Sequence, residues 1–270
     1  MAAACALAPV IGCSSETEEP APGIVYNADE WLITGTSVRL YRGKETNVTI
    51  PAGVTEIREH AFERCDAASV TIPGSVTVIG YSAFRGCESL ESVTIPASVT
   101  SIGSDAFSGC TSLASVTIPA SVTSIGDYAF YECENLKSVT IPASVTSIGE
   151  RAFQKCTSLT EVKIPGSVTV IGDFAFAECT GFTDVTIPEG VTDIGYGAFW
   201  GCTSLESVTI PEGVTSIGDY AFYECENLKS VTYGGTKEQW GSMKKIQCHL
   251  LCHKGHGDNR QGRQHIQSQY

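Results

Sequence analysis

At 270 residues the chain has room for one or two domains, and it carries 30 Asp and Glu against 17 Lys and Arg, for a formal net charge of −13. So acidic a surface repels phosphate backbones and anionic lipid heads, which argues against nucleic acid as a partner. No stretch approaches the roughly twenty consecutive apolar residues of a membrane-spanning helix.

Residues 1–22 begin with a short apolar run, Ala2 to Ile11, ending in Val10-Ile11-Gly12-Cys13 and passing into the acidic Ser14-Ser15-Glu16-Thr17-Glu18-Glu19-Pro20. The arrangement resembles the tail of a bacterial lipoprotein signal peptide, in which Cys13 is lipidated after cleavage and the acidic run acts as a tether. No basic residue precedes the apolar run, and this departure leaves a disordered apolar start as the other reading. On the lipoprotein reading the protein is exported to the cell surface or outer membrane, and it touches membrane only through a lipid anchor.

Residues 23–47 hold Tyr26, Trp31, Leu32, Ile33, Val38, Leu40 and Tyr41. They read as a hairpin-like N-terminal cap. Asn47-Val48-Thr49 has the form of a glycosylation sequon, but it is expected to be accidental.

From Val48 to Ser230 the sequence repeats. Prolines fall at Pro51, Pro73, Pro96, Pro119, Pro142, Pro165, Pro188 and Pro211, and cysteines keep the same register from Cys65 to Cys225. A fixed period of about 23 residues predicts stacked units, here eight, that share one continuous core. In the fifth unit, Val139 to Glu161, the near-constant positions are Val139, Ile141, Pro142, Val145, Ile148, Gly149, Ala152, Phe153, Cys156 and Leu159. Val139-Thr140-Ile141 is a half-buried strand with Val and Ile inward, which Pro142 ends by removing a ladder donor. Val145 and Ile148 begin a second buried segment. Glu150, replaced by Asp127, Asp173 and Asp219 in sister units, is expected to open a short helical turn that places Ala152, Phe153 and Cys156 inward. The predicted fold class is an α/β repeat solenoid with short parallel strands and short helical turns, rungs about 4.8 Å apart and a rod on the order of 40 Å long.

Residues 231–245 follow as an exit segment and cap, with Val231-Thr232-Tyr233-Gly234-Gly235-Thr236-Lys237-Glu238-Gln239-Trp240 at its start. This stretch, with V-x-I-P, V-x-x-I-G and A-F-x-x-C-x-x-L in the units before it, resembles the BspA-like, or Treponema pallidum type, leucine-rich repeats of bacterial surface proteins. The first unit departs by one residue, with Asp66-Ala67-Ala68 replacing the usual C-x-x-L. The resemblance implies a right-handed leucine-rich-repeat stack. It also implies adhesion or protein–protein binding, to host matrix, other cells or envelope components, with no cofactor and no enzymatic role.

Residues 246–270 form an irregular tail. Cys248, His249, Cys252, His253 and His256 invite a zinc reading, but their spacing fits no common finger, and no metal site is expected. Read one base later, the tail's codons can encode a strand-like continuation, so a reading-frame artefact is the other account.

The eight register cysteines occupy the inward position beside Ala-Phe, which predicts a buried row of thiols more than a disulfide or metal framework. His60 is the one histidine of the repeats, so a His-dependent nucleophile has no base to use. What remains is surface. Outward strand positions carry Ser and Thr in the early units and Glu161, Lys163 and Asp184 later, while outward turn positions include Tyr81, Arg85, Tyr128, Tyr131, Phe174, Tyr196, Trp200, Tyr220 and Tyr223. A row of rings can anchor a partner or lie flat on neighbouring turns, and the sequence leaves both open. Departures from consensus concentrate at Glu161, Lys163, Phe174, Phe182, Asp184, Tyr196 and Trp200, and all of these but Phe182 are the ligand-contact candidates. A passive spacer and a carbohydrate-capture protein remain as rival readings. Residues 124–140 and 216–232 are identical at an offset of 92, as copying within the array would leave them.

Overall fold

The computed structural model describes residues 21–242 and 244–245, a parallel β-solenoid in which each unit forms one coil. The inward Val and Ile of V-x-I make short strands because alternate side chains can enter the core while the Thr between them stays in water. Ser115–Thr117 and Glu161–Lys163 both pair in parallel register with Ser138–Thr140, so that Val116, Val139 and Val162 stack. The second buried segment is also a ladder: Ser124–Ile125, Ser147–Ile148 and Val170–Ile171 pair in parallel. It belongs to an 11-stranded sheet running from Trp31–Thr34 to Lys244–Lys245.

The third side of each coil corrects the expected helical turn. Residues 149–156 contain no helix; Arg151 (φ 53°) and Lys155 (φ 61°) are left-handed. Successive amides alternate in their use. Those of Ala152, Gln154 and Cys156 close tight turns on Gly149, Arg151 and Phe153 (3.1–3.4 Å), while those of Arg151, Phe153 and Lys155 donate to Asp173, Ala175 and Ala177 of the next coil (2.8–2.9 Å). A helix would direct every amide four residues back. Here half of them are drawn into inter-coil bonds, which makes the turns a third ladder. Ala152, Phe153 and Cys156 nevertheless face inward as expected.

The core is one cluster from Trp31 to Tyr233. Its spine is a stack of phenylalanines. Phe107, Phe130, Phe153 and Phe176 lie 5.3–5.5 Å apart and within 6° of parallel. Beside them, Cys87 to Cys225 are buried free thiols, and Cys65 at the end is half-buried.

At the N-terminal end Trp31–Thr34 and Ser37–Tyr41 form an antiparallel hairpin whose second strand pairs with Glu56–Ile57. Trp31 and Tyr41 pack on Phe62, closing that end of the spine. At the other end the helix α1 (Lys237–Ser242) follows Thr236. The Gln239 amide donates to Thr236 Oγ1 (3.1 Å) and the Thr236 amide to Gln239 Oε1 (2.6 Å), a reciprocal cap that starts the helix. Trp240 then packs on Tyr233. Among the described residues no helix is long and apolar enough to cross a membrane.

One irregularity interrupts the first ladder. It divides into a six-stranded sheet ending at Glu161–Lys163 and a three-stranded sheet beginning at Asp184–Thr186. Between them Phe182 stands where the other later units have Leu. It is fully buried and meets Phe176 edge-on at 6.0 Å. The larger ring accompanies a close approach of backbones: a Cβ on Gly181 would lie 2.7 Å from the Leu159 carbonyl oxygen.

Candidate interaction surface

Four positions recur on the turn side of every coil, half-exposed or exposed in most units but buried at Gln154 and Ala177. In unit four they are Asp127, Tyr128, Tyr131 and Glu132; in unit five, Glu150, Arg151, Gln154 and Lys155; in unit six, Asp173, Phe174, Ala177 and Glu178. Unit seven supplies Tyr196, Gly197, Trp200 and Gly201, and unit eight Asp219, Tyr220, Tyr223 and Glu224. Inter-coil pairing stacks each position on its equivalent, so they form four columns. In units four to eight the outer columns are mostly acidic and the inner two mostly aromatic.

The acid of the first column works differently from the expected helix start. Asp127 Oδ1 accepts the Glu150 amide (2.8 Å) and Asp173 Oδ1 the Tyr196 amide (2.7 Å), each one coil onward. Asp219, in the last unit, has no such partner among the described residues, and its Oδ1 is buried and unsatisfied.

The second and fourth columns require positive φ, where side chains other than Gly and Asn are disfavoured. Gly86, Gly109, Gly197 and Gly201 meet that demand directly, whereas Tyr128, Arg151, Phe174 and Tyr220 hold large side chains there. Their rings interlock. Phe174 meets Tyr196 at 5.1 Å and 62° and Trp200 at 5.6 Å and 44°. Tyr196 meets Tyr220 at 62°, Trp200 meets Tyr223 at 60°, and Tyr220 meets Tyr223 at 90°. The Trp200 indole Nε1 donates to Glu224 Oε2 (3.0 Å). The rings therefore lean on one another without lying flat, and Tyr196 remains 39% exposed.

Unit five inserts cations into this pattern. The Arg151 guanidinium lies over Phe174 (4.4 Å to the centroid) and Tyr128 (5.7 Å), with Glu150 Oε1 3.1 Å from its Nε. Lys155 Nζ is 5.5 Å from the Tyr131 centroid and 2.7 Å from Glu132 Oε1. That bond holds the Glu132 carboxyl below its usual range and raises the Lys155 ammonium. Both side chains are about a third exposed, so solvent screening keeps the pair's contribution to stability small.

The six contact candidates separate onto two sides. Phe174, Tyr196 and Trp200 share the turn columns. Glu161, Lys163 and Asp184 sit on the strand side, across the core. There Lys163 is 85% exposed and 3.5 Å from Glu161, and Asp184 accepts hydrogen bonds from Ser207 and Thr183. Sequence reasoning did not single out Arg151, Lys155, Glu178 or Glu224, although aligning the turn positions column by column marks all four. Among the described residues no three His, Cys, Asp or Glu side chains gather as metal ligands. Cys13 and the Cys248 to His256 run lie outside the described residues.

A family model for the BspA type leucine-rich repeat region matches residues 40–160 and 123–250, in six copies. The chain belongs to that family. Among solved structures it is similar to a leucine-rich repeat protein of T. pallidum, at 28% identity over 77% of this chain and 85% of that one, with a TM-score of 0.50. It is also similar to a leucine-rich cell surface protein of Faecalibacterium prausnitzii A2-165, at 26% identity over 82% of this chain and 95% of that one, with a TM-score of 0.38. No curated protein matches it.

Proposed function

We propose that this BspA-type repeat protein is a non-enzymatic, exported bacterial surface protein that binds a protein partner through its array, tethered by a lipid on Cys13. The observation that carries the binding reading is the five-ring cluster of Phe174, Tyr196, Trp200, Tyr220 and Tyr223. Phe174 and Tyr220 are bulky residues at positive φ, a conformation that costs on the order of 1 kcal/mol or more at each position. Gly, Ser and Asp serve there in other units, so a passive spacer has no use for the rings. Their steep mutual angles favour a protein over a sugar, because a pyranose stacks on a flat, open ring face. The surface-protein reading draws on membership of the BspA-type family and on the lipoprotein-like run ending at Cys13.

The test compares two variants for binding to a panel of matrix and envelope proteins and to a glycan array. Tyr196→Ala with Trp200→Ala is expected to keep the fold and weaken protein binding, while deletion of one 23-residue unit near Val116 keeps both. Equal binding by the two variants favours a spacer, and glycan binding lost with the rings favours carbohydrate capture. For the anchor, a fatty-acid analogue is expected to label the native protein and not Cys13→Ala; an unlabelled Cys13 removes it.

A further inference from the structure

The two large apolar side chains most open to water among the described residues both lie in the N-terminal cap: Val25 is 88% exposed and Leu32 52%. Ile24 and Tyr26 pack against the core on either side of Val25 and leave it outward. Leu32 stands on Trp31–Thr34, the outermost strand of the 11-stranded sheet, opposite the half-buried Leu40. Residues 21–27 are tied to the same hairpin, the Ala21 amide donating to the Gly35 carbonyl (2.8 Å) and the Trp31 amide to the Asn27 carbonyl (3.0 Å). Both side chains therefore mark the N-terminal end of the rod. A lone exposed Leu needs no account, but apolar exposure gathered at one end of a molecule does.

That end also differs in charge. Residues 48–230 carry 22 Asp and Glu against 8 Lys and Arg, whereas residues 23–47 have three acids and three cations. The cations Arg39, Arg42 and Lys44 are all exposed. The repulsion of anionic lipid heads expected of the chain as a whole therefore belongs to the coils and is absent at the cap. Chain length brings the same end to the lipid. With Cys13 as the anchored residue, only the seven residues Ser14 to Pro20 separate it from Ala21, and seven residues span at most about 25 Å. On so short a tether a weak apolar contact acts at high effective concentration.

We propose that the cap is a membrane contact of the folded chain itself, with Val25 and Leu32 seated among phospholipid head groups and the array standing away from the surface. The inference rests on the lipid anchor at Cys13 proposed above and specifies how the anchored chain is oriented. Rungs about 4.8 Å apart put unit seven, with Tyr196 and Trp200, roughly 30 Å farther from the lipid than unit one. The acidic coils are thereby kept off the anionic surface, and the ring cluster is left open to a partner.

The experiment reconstitutes the lipidated full chain into vesicles of phosphatidylethanolamine and phosphatidylglycerol. A trace of phospholipid carries a photoactivated diazirine near its head group, and mass spectrometry maps the labelled residues. The peptide that holds Val25 and Leu32 is expected to be labelled at least about fivefold more than peptides from Ser115 to Thr140 or from Tyr196 to Trp200. Val25→Ser with Leu32→Thr changes two exposed positions and is checked for an unchanged melting profile. It is expected to lower cap labelling by about fivefold or more while fatty acid on Cys13 is undiminished.

Labelling spread evenly along the array overturns the proposal, because the rod then lies along the surface. Cap labelling that survives in the double variant does so too, since the apolar pair then makes no contact. If the cap stays unlabelled while Cys13 carries its fatty acid, the cap contact falls and the anchor stands. A chain with no fatty acid on Cys13 removes the anchor and the inference with it. A reagent that joins Lys44 of two chains while lipid labels neither cap assigns that end to a second copy and overturns the lipid contact.

Discussion

The Cys133 thiol donates its S–H to the carbonyl oxygen of Phe107, 3.2 Å away and 26 residues earlier in the chain. Cys110, Cys156, Cys179, Cys202 and Cys225 each repeat the relation at 3.1–3.2 Å. The bond exists only while sulfur keeps its proton. Burial raises the thiols of Cys110, Cys133, Cys156, Cys179 and Cys202, and contact with the neighbouring thiol is the larger cause at Cys65 and Cys87.

A pH dependence follows. Unfolded cysteine ionises near pH 8.5, and the folded thiols ionise above that. Their stabilisation is therefore fully present below about pH 8.5 and is lost as pH rises above it, because the unfolded state releases protons first. Each such thiol removes at most about 1.4 kcal/mol per pH unit. Urea midpoints measured from pH 8 to 9.5, below tyrosine ionisation, are expected to fall steeply, and less steeply in Cys133→Ala. A flat profile means that the thiols are exposed or oxidised.

The same burial controls reactivity. A thiol reagent is expected to leave Cys87 to Cys225 unlabelled in the folded protein and to modify them after denaturation, as mass spectrometry would count. Cys156→Ser replaces a soft sulfur, in a slot shaped for it, with a shorter hydroxyl that reaches the Phe130 carbonyl poorly. It is expected to cost about 1 to 3 kcal/mol. Rapid labelling of the native chain, or a serine variant of unchanged stability, shows the inward assignment to be wrong.

Much of this architecture is legible in the sequence because repetition turns one chain into its own alignment. Val139, Ile141, Ala152, Phe153 and Cys156 are recognisable as inward, and all but the sheet's own polar positions follow from that. The helical turn was not legible as a ladder. A-F-x-x-C places side chains on one side whether amides bond four residues back or to the next coil, and that choice depends on a neighbour 22 residues away. Ser147–Ile148 was too short to announce a strand by alternation. The candidate site suffered from a similar locality. Departure from consensus marks Glu161 and Trp200 alike, but only the folded coil puts them on opposite sides and brings Arg151 over Phe174.

The break in the first ladder yields a coupled pair. Gly181→Ser alone places a Cβ against the Leu159 carbonyl oxygen, and with Phe182 retained it is expected to destabilise by about 1 to 3 kcal/mol. Phe182→Leu restores the side chain that other units use and relaxes the approach, so the double variant is expected to recover most of that loss. A double-mutant cycle by urea unfolding measures the coupling. Additive effects mean that ring size does not set the backbone approach.

The identical stretches 124–140 and 216–232 allow a stronger test of the whole reading. Ser124–Ile125 and Ser216–Ile217 occupy the same place in their coils and lie in the same sheet. Excising residues 124–215 therefore joins Thr123 to Ser216 with the local sequence unchanged, removing four coils and the ladder break together. Stability in a stack is close to a sum over coils and their interfaces, so the shortened chain, with four coils and both ends, is expected to fold cooperatively at a lower melting temperature. It retains Tyr220 and Tyr223 but loses Arg151, Phe174, Tyr196 and Trp200. Circular dichroism is expected to show an intact β signature, while a panel protein that binds the full chain binds at least about fivefold more weakly, since the ring cluster is reduced to one coil. A shortened chain that cannot fold places essential stability in the later coils. One that folds and binds that protein undiminished removes the turn columns of units six and seven from the contact surface.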